Sequence, residues 1–132
     1  MRVLVCGGRN FSDRELLYKV LNIIHNGIKS GITTIIHGGA SGADSIAGEW
    51  SADVLKKEAE VYLANWNLHK TAAGPIRNRK MLKEGKPDIV VAFPGGSGTS
   101  DMIKIAAAAG VKVFDIEKKL VYNERNSVTK FL

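Results

Sequence analysis

Short blocks of unbroken apolar residues alternate along this chain with longer stretches in which apolar residues recur every three or four positions. Five blocks are of the first kind: "RVLVCG" (2–7), "TTIIHG" (33–38), "EVYLA" (60–64), "DIVVAF" (88–93) and "VKVFDI" (111–116). Most are continuous runs rather than alternating ones, which predicts strands buried on both faces, as in a parallel sheet. The stretches between them have the helical period. In "SDRELLYKVLNIIHNGI", Leu16, Val20, Ile23 and Ile24 share a face, and Ser12 with Glu15 has capping-box spacing. The other three are "SGADSIAGEWSADVLKK", "GPIRNRKMLKEG" and "TSDMIKIAAAAG". Pro75 suits a first helical position, and Gly85 and Gly110 suit helix stops.

Strand, helix, strand, repeated, predicts an α/β fold: a parallel sheet flanked by helices. Residues 1–132 read as a single domain, with 117–132 as a short extra strand or tail. Right-handed crossovers favour the strand order 3-2-1-4-5, which sets strands 1 and 4 side by side at a switch point where ligands bind.

Three glycine loops then fall on one rim: "GGRNFS" (7–12), "GGASGAD" (38–44) and "PGGSGTSD" (94–101). Glycine lets a ligand approach the backbone, and a loop that opens a helix offers unpaired N–H groups to a phosphate. The candidate ligand-binding positions are Gly7, Gly8 and Arg9 in the first loop, and Gly38, Gly39, Ser41 and Asp44 in the second. The third contributes Pro94, Gly95, Gly96, Ser97, Gly98, Thr99 and Asp101. No Lys occurs in these loops, so no Walker A motif is present, and Gly96-Ser97-Gly98 lacks the last glycine of the dinucleotide fingerprint. Asp44 and Asp101 each fit two roles, in a helix's first turn or on ribose hydroxyls. Arg77, Arg79 and Lys80 fit a solvated helix face or a phosphate site, and Trp66 fits a base stack or a cover for the core edge.

The formal net charge of +6 favours anionic partners, but the basic residues are spread along the chain, which argues against nucleic acid. One cysteine, Cys6, forms no internal disulfide and points to a reducing cytoplasm. No apolar run approaches a membrane span, and His25, His37 and His69 are scattered without metal-ligand spacing. The expectation is a cytoplasmic protein with no membrane partner, no metal and no cofactor.

"CGGRNFSD", "IIHGGASGADSIAGEW", "HKTAAGPIRNRKML" and "PDIVVAFPGGSGTSDMI" together resemble the YspA (cpYpsA-related) branch of the SLOG superfamily, over residues 2–115. The resemblance implies a Rossmann-like single domain, and that superfamily is associated with nucleotide-derived ligands and includes the LOG phosphoribohydrolases and the DNA-processing protein DprA. LOG enzymes carry an Arg-Lys pair before P-G-G-x-G-T-x-x-E. The resemblance places the pair on Arg79 and Lys80 and the catalytic glutamate on Met102, with Asp101 the nearest acid.

The first reading is therefore a protein that binds a nucleotide or nucleotide-derived small molecule, as a sensor or a sequestering protein. One alternative is a LOG-like N-glycosidase acting on nucleoside monophosphates through Asp101 or Asp44. Another is DprA-like single-strand binding, which needs a basic groove lined with stacking aromatics. "DMIKIAAAAG" is apolar around more of its helix than one buried face requires, and LOG-type relatives pair near this motif, so a homodimer or higher homo-oligomer is expected.

Overall fold

The computed structural model describes residues 1–123 and 127–131. Residues 124–126 and 132, part of the stretch read as an extra strand or tail, lie outside them. Seven strands form one sheet: β1 (Arg2–Cys6), β2 (Thr34–His37), β3 (Glu60–Val61), β4 (Ile89–Ala92), β5 (Lys112–Asp115), β6 (Leu120–Tyr122) and β7 (Val128–Lys130). Their order is β3-β2-β1-β4-β5-β6-β7. The five parallel strands run in the expected order. The chain beyond residue 116 adds two antiparallel strands, with Phe114 opposite Val121 and Val121 opposite Thr129.

Helices cover both faces: α1 (Arg14–Gly27), α2 (Ala43–Trp50), the short α3 (Trp66–His69), α4 (Ala73–Gly85) and α5 (Ser97–Ala108). Alternation along β1 divides the core. Val3 and Val5 join Leu17, Leu21, Ile35, Trp50 and Phe93 on the α1/α2 side. Leu4 and Cys6 join Ile36, Met81, Val90, Met102 and Ala106 on the α4/α5 side. β1, β2 and β4 are buried almost throughout, as continuous apolar runs require.

Local chemistry moves several boundaries. The cap of α1 is Asp13, not Ser12: its carboxylate accepts the Leu16 N–H at 3.0 Å, three residues on. α2 runs on as a π-helical turn, Ser51–Leu55, and stops at Lys56 in the left-handed region (φ 57°). β3 shortens to two residues because it is the open edge, where Val61 and Leu63 stay exposed. A 3-10 turn at Lys70–Ala72 leads into α4, so Pro75 is its third residue, and Lys86, not Gly85, takes the left-handed cap. α5 starts two residues early, at Ser97, which draws Ser97 and Gly98 into its first turn. Its isoleucines, Ile103 and Ile105, pack against the α4/α5 core of this same chain. No helix among the described residues is long and apolar enough to cross a membrane.

The fold requires glycine at position 42. Its φ is +76°, and a Cβ there would overlap the backbone of Gly8 and Arg9. Gly42→Ala is expected to lower the unfolding free energy by about 2 kcal/mol or more. Urea denaturation measures this, and a shift under about 0.5 kcal/mol would show that the loop relaxes freely.

Candidate functional site

The loops that follow β1, β2 and β4 meet at Gly8. Its N–H donates to the Pro94 carbonyl at 2.8 Å, and its own carbonyl accepts the N–H groups of Phe11 and Ala43, each at 3.2 Å. A Cβ on Gly7 would stand 2.6 Å from that of Ala43, and one on Gly95 would stand 2.6 Å from the Gly8 nitrogen. A Cβ on Gly8 would stand 3.0 Å from the Pro94 carbonyl oxygen. Gly38 has its own occupant, the Arg77 guanidinium, which fills the space a side chain would need. Most of the rim glycines therefore make room for other parts of the chain. Gly96 and Gly98 are different: a Cβ on either meets nothing within 4 Å, and both line a cavity of about 580 Å³.

That cavity lies at the carboxyl ends of β1 and β4, the neighbouring strands at the centre of the sheet. One wall is the start of α5. Gly96 is its N-cap, with φ −101° and ψ −142°, and no side chain caps the helix. The N–H groups of Ser97, Gly98 and Thr99 have no acceptor within the helix, and with its dipole they favour an anion.

Acid and base flank this wall. Asp44 is 6% exposed, and its Oδ2 accepts the N–H groups of Gly38 and Ala40, each at 3.1 Å. Its Oδ1 has no protein partner among the described residues, and Asp44 lines the cavity. Burial raises its pKa above the ordinary 3.8, outweighing the two N–H donors and the Arg77 charge. Arg77 donates through Nη1 to the Gly38 carbonyl at 2.7 Å and through Nε to Asn78 Oδ1 at 3.1 Å. Asn78, a position that no motif marks, is 3% exposed. Its amide donates to the Gly98 carbonyl at 3.2 Å and to Asp101 Oδ2 at 3.0 Å, tying α4 to the first turn of α5.

Arg9 and Trp66 stand at the same cavity, with the guanidinium 5.4 Å from the indole centroid. Cys6 also lines it, but burial holds its thiol far above the usual range, so it is a neutral group rather than a nucleophile. His37 lies beneath the second loop, where burial and Arg77 lower its pKa. Its Nδ1 accepts the Gly39 N–H at 2.9 Å.

The cavity thus gathers Gly7, Gly8, Arg9, Asp44, Trp66 and Arg77. From the α5 side it adds Gly96, Ser97, Gly98, Thr99 and Asp101. Gly38, Gly39, Ser41, Pro94 and Gly95 support the loops without lining it. The Ser41 hydroxyl, for instance, donates to the Arg9 carbonyl at 3.2 Å. Arg79 and Lys80 are exposed and do not line it either. On a helix, the face that buries Asn78 and Met81 turns residues 79 and 80 away, and Arg79 bonds only the Pro75 carbonyl of its own helix. Met102, the position that the LOG pattern gives to glutamate, is fully buried in the core. Asn78, Thr71, Gly74 and Met81 are cavity residues that motif reading missed. They are brought there by the 3-10 turn and the pitch of α4, which leave little mark in the sequence.

The family model described as "YspA, cpYpsA-related SLOG family" matches residues 1–69, a span holding the first two loops, Asp44 and Trp66. The chain is also similar to the "Gene 61 protein" of Mycobacterium phage D29, with 33% identity over 124 residues, 89% of this chain and 98% of that protein. No solved structure matches it.

The raised pKa of Asp44 has a consequence for stability. The native state holds that proton more tightly than the unfolded chain does, so the contribution is fully present below pH 3.8 and is lost as pH rises through the folded value. Asp44→Asn keeps an acceptor for Gly38 and Ala40 without the charge. As pH rises above 3.8, wild type is expected to lose stability relative to this variant in urea unfolding. A difference that does not change with pH would reject the buried-charge account.

Proposed function

Because the chain belongs to the YspA, cpYpsA-related SLOG family, we propose that it binds a nucleotide or nucleotide-derived small molecule in the cavity between Gly8, α4 and α5. One observation carries this reading: the uncapped start of α5 opens onto the cavity at two glycines whose side-chain space is empty. A phosphate seated there takes the N–H groups of Ser97, Gly98 and Thr99. Arg77, anchored from below by the Gly38 carbonyl, adds positive charge. Asp44 Oδ1 has no donor among the described residues, Asp44 lines the cavity, and ribose hydroxyls supply donors of the right kind.

Binding without turnover is favoured over hydrolysis by the surroundings of the acids. Met102 stands in the core where the hydrolase pattern has glutamate, and Asp101 is held by Asn78. Asp44 is engaged by two backbone donors. The role that follows is that of a sensor or a sequestering protein.

Two experiments test this. Gly96→Val adds a side chain at a position with ordinary φ and no neighbour within 4 Å. It should change stability by only about 1 kcal/mol while weakening the best nucleotide found by native mass spectrometry by roughly tenfold or more. Unchanged affinity would remove the phosphate from the start of α5. In the second, AMP incubated overnight with the protein is expected to remain intact by chromatography. Release of free adenine that is lost in Asp101→Asn would replace binding with N-glycosidic hydrolysis.

A further inference from the structure

The two tryptophans of this chain are treated in opposite ways. Trp50 is 0% exposed and its indole N–H donates to Asn22 at 2.9 Å. Trp66 is 46% exposed at the cavity, and its indole N–H has no acceptor among the described residues. Yet Trp66 is held in place. Asn65 caps α3 by accepting the Leu68 N–H at 3.1 Å, and a Cβ on Gly74 would stand 3.5 Å from Trp66 Cη2, so the ring lies close to the start of α4. A large apolar ring fixed at a cavity and left half in water is poorly explained by core packing.

Over it stands Arg9, exposed, in the loop after β1, with its guanidinium 5.4 Å from the ring centroid. Among the described residues no acidic group pairs with that guanidinium. A cation over an exposed indole is a weak contact in water. It is therefore a cover that a better stacking partner can displace.

We propose that the space between Trp66 and Arg9 seats a planar aromatic base, so that the ligand must carry a nucleobase and not merely a sugar phosphate. This deepens the nucleotide reading above and rests on it. A ring stacked between two flat groups needs about 7 Å between them, so Arg9 swings outward by about 1.5 Å as the base enters. Base stacking tolerates many bases because each has a π-face, so this seat selects for the presence of a base more than for its identity.

The test compares AMP, ADP-ribose and NAD with ribose 5-phosphate, by calorimetry and by tryptophan fluorescence. The base-bearing ligands are expected to bind about tenfold or more tighter than ribose 5-phosphate and to quench Trp66, while buried Trp50 keeps its emission. Trp66→Leu should bring the tightest of them toward the ribose 5-phosphate value, and Trp66→Phe should restore most of the difference. If ribose 5-phosphate binds as tightly as AMP, or if Trp66→Leu leaves the difference intact, the base seat is wrong while the phosphate reading stands. If none of the four binds at millimolar concentration, both readings fail together.

Discussion

The backbone of Gly8 is bonded on both sides to other loops, and the site depends on that closeness. Its N–H holds Pro94 and its carbonyl holds Ala43, so the loops after β4 and β2 are drawn against the loop after β1. Backbone can approach backbone this closely only where no side chain intervenes, which is the physical demand on Gly7, Gly8, Gly42 and Gly95. The arrangement follows from the sheet: parallel strands put their carboxyl ends on one edge, and β1 lies between β2 and β4. With those loops pressed together, Gly96 can sit at the lip of a cavity with space around it.

A second layer holds the cavity's charged groups without neutralising them. Arg77 and Asp44 both grip Gly38, one at its carbonyl and the other at its N–H, yet they form no direct ion pair. Asn78 shares its amide between the Gly98 carbonyl and Asp101. Buried polar groups that are partly satisfied by the protein are costly unless something else completes them. Asp44 meets part of that cost through the N–H groups of Gly38 and Ala40, and its Oδ1 has no donor among the described residues at the cavity that Asp44 lines.

The strand runs and most of the helices were legible because burial on two faces and burial on one leave different periods in a sequence. The parallel order was legible because crossover handedness leaves few choices. Caps and ends were less so. Asp13 and Ser12 are both good caps, and only the turn of the chain selects Asp13. The last strands are short, β6 half buried and β7 exposed, so they carry little apolar signal, and pairing of β6 with β5 and of β7 with β6 is what makes them strands.

For the site, the sequence by itself determined that glycine loops would gather at one edge with Arg9, Asp44, Arg77, Trp66 and Asp101 near them. It could not say which glycines face a ligand. That depends on what stands opposite each Cα, and the answer differs between Gly95 and Gly96, adjacent in the chain. Nor could it sort Arg77 from Arg79 and Lys80. The three share a motif, but the pitch of α4 turns half-buried Arg77 into the network and sends the others to solvent. Residue type and spacing set the chemistry available; the distances between loops far apart in sequence, fixed only when the sheet closes their ends together, decided which groups use it.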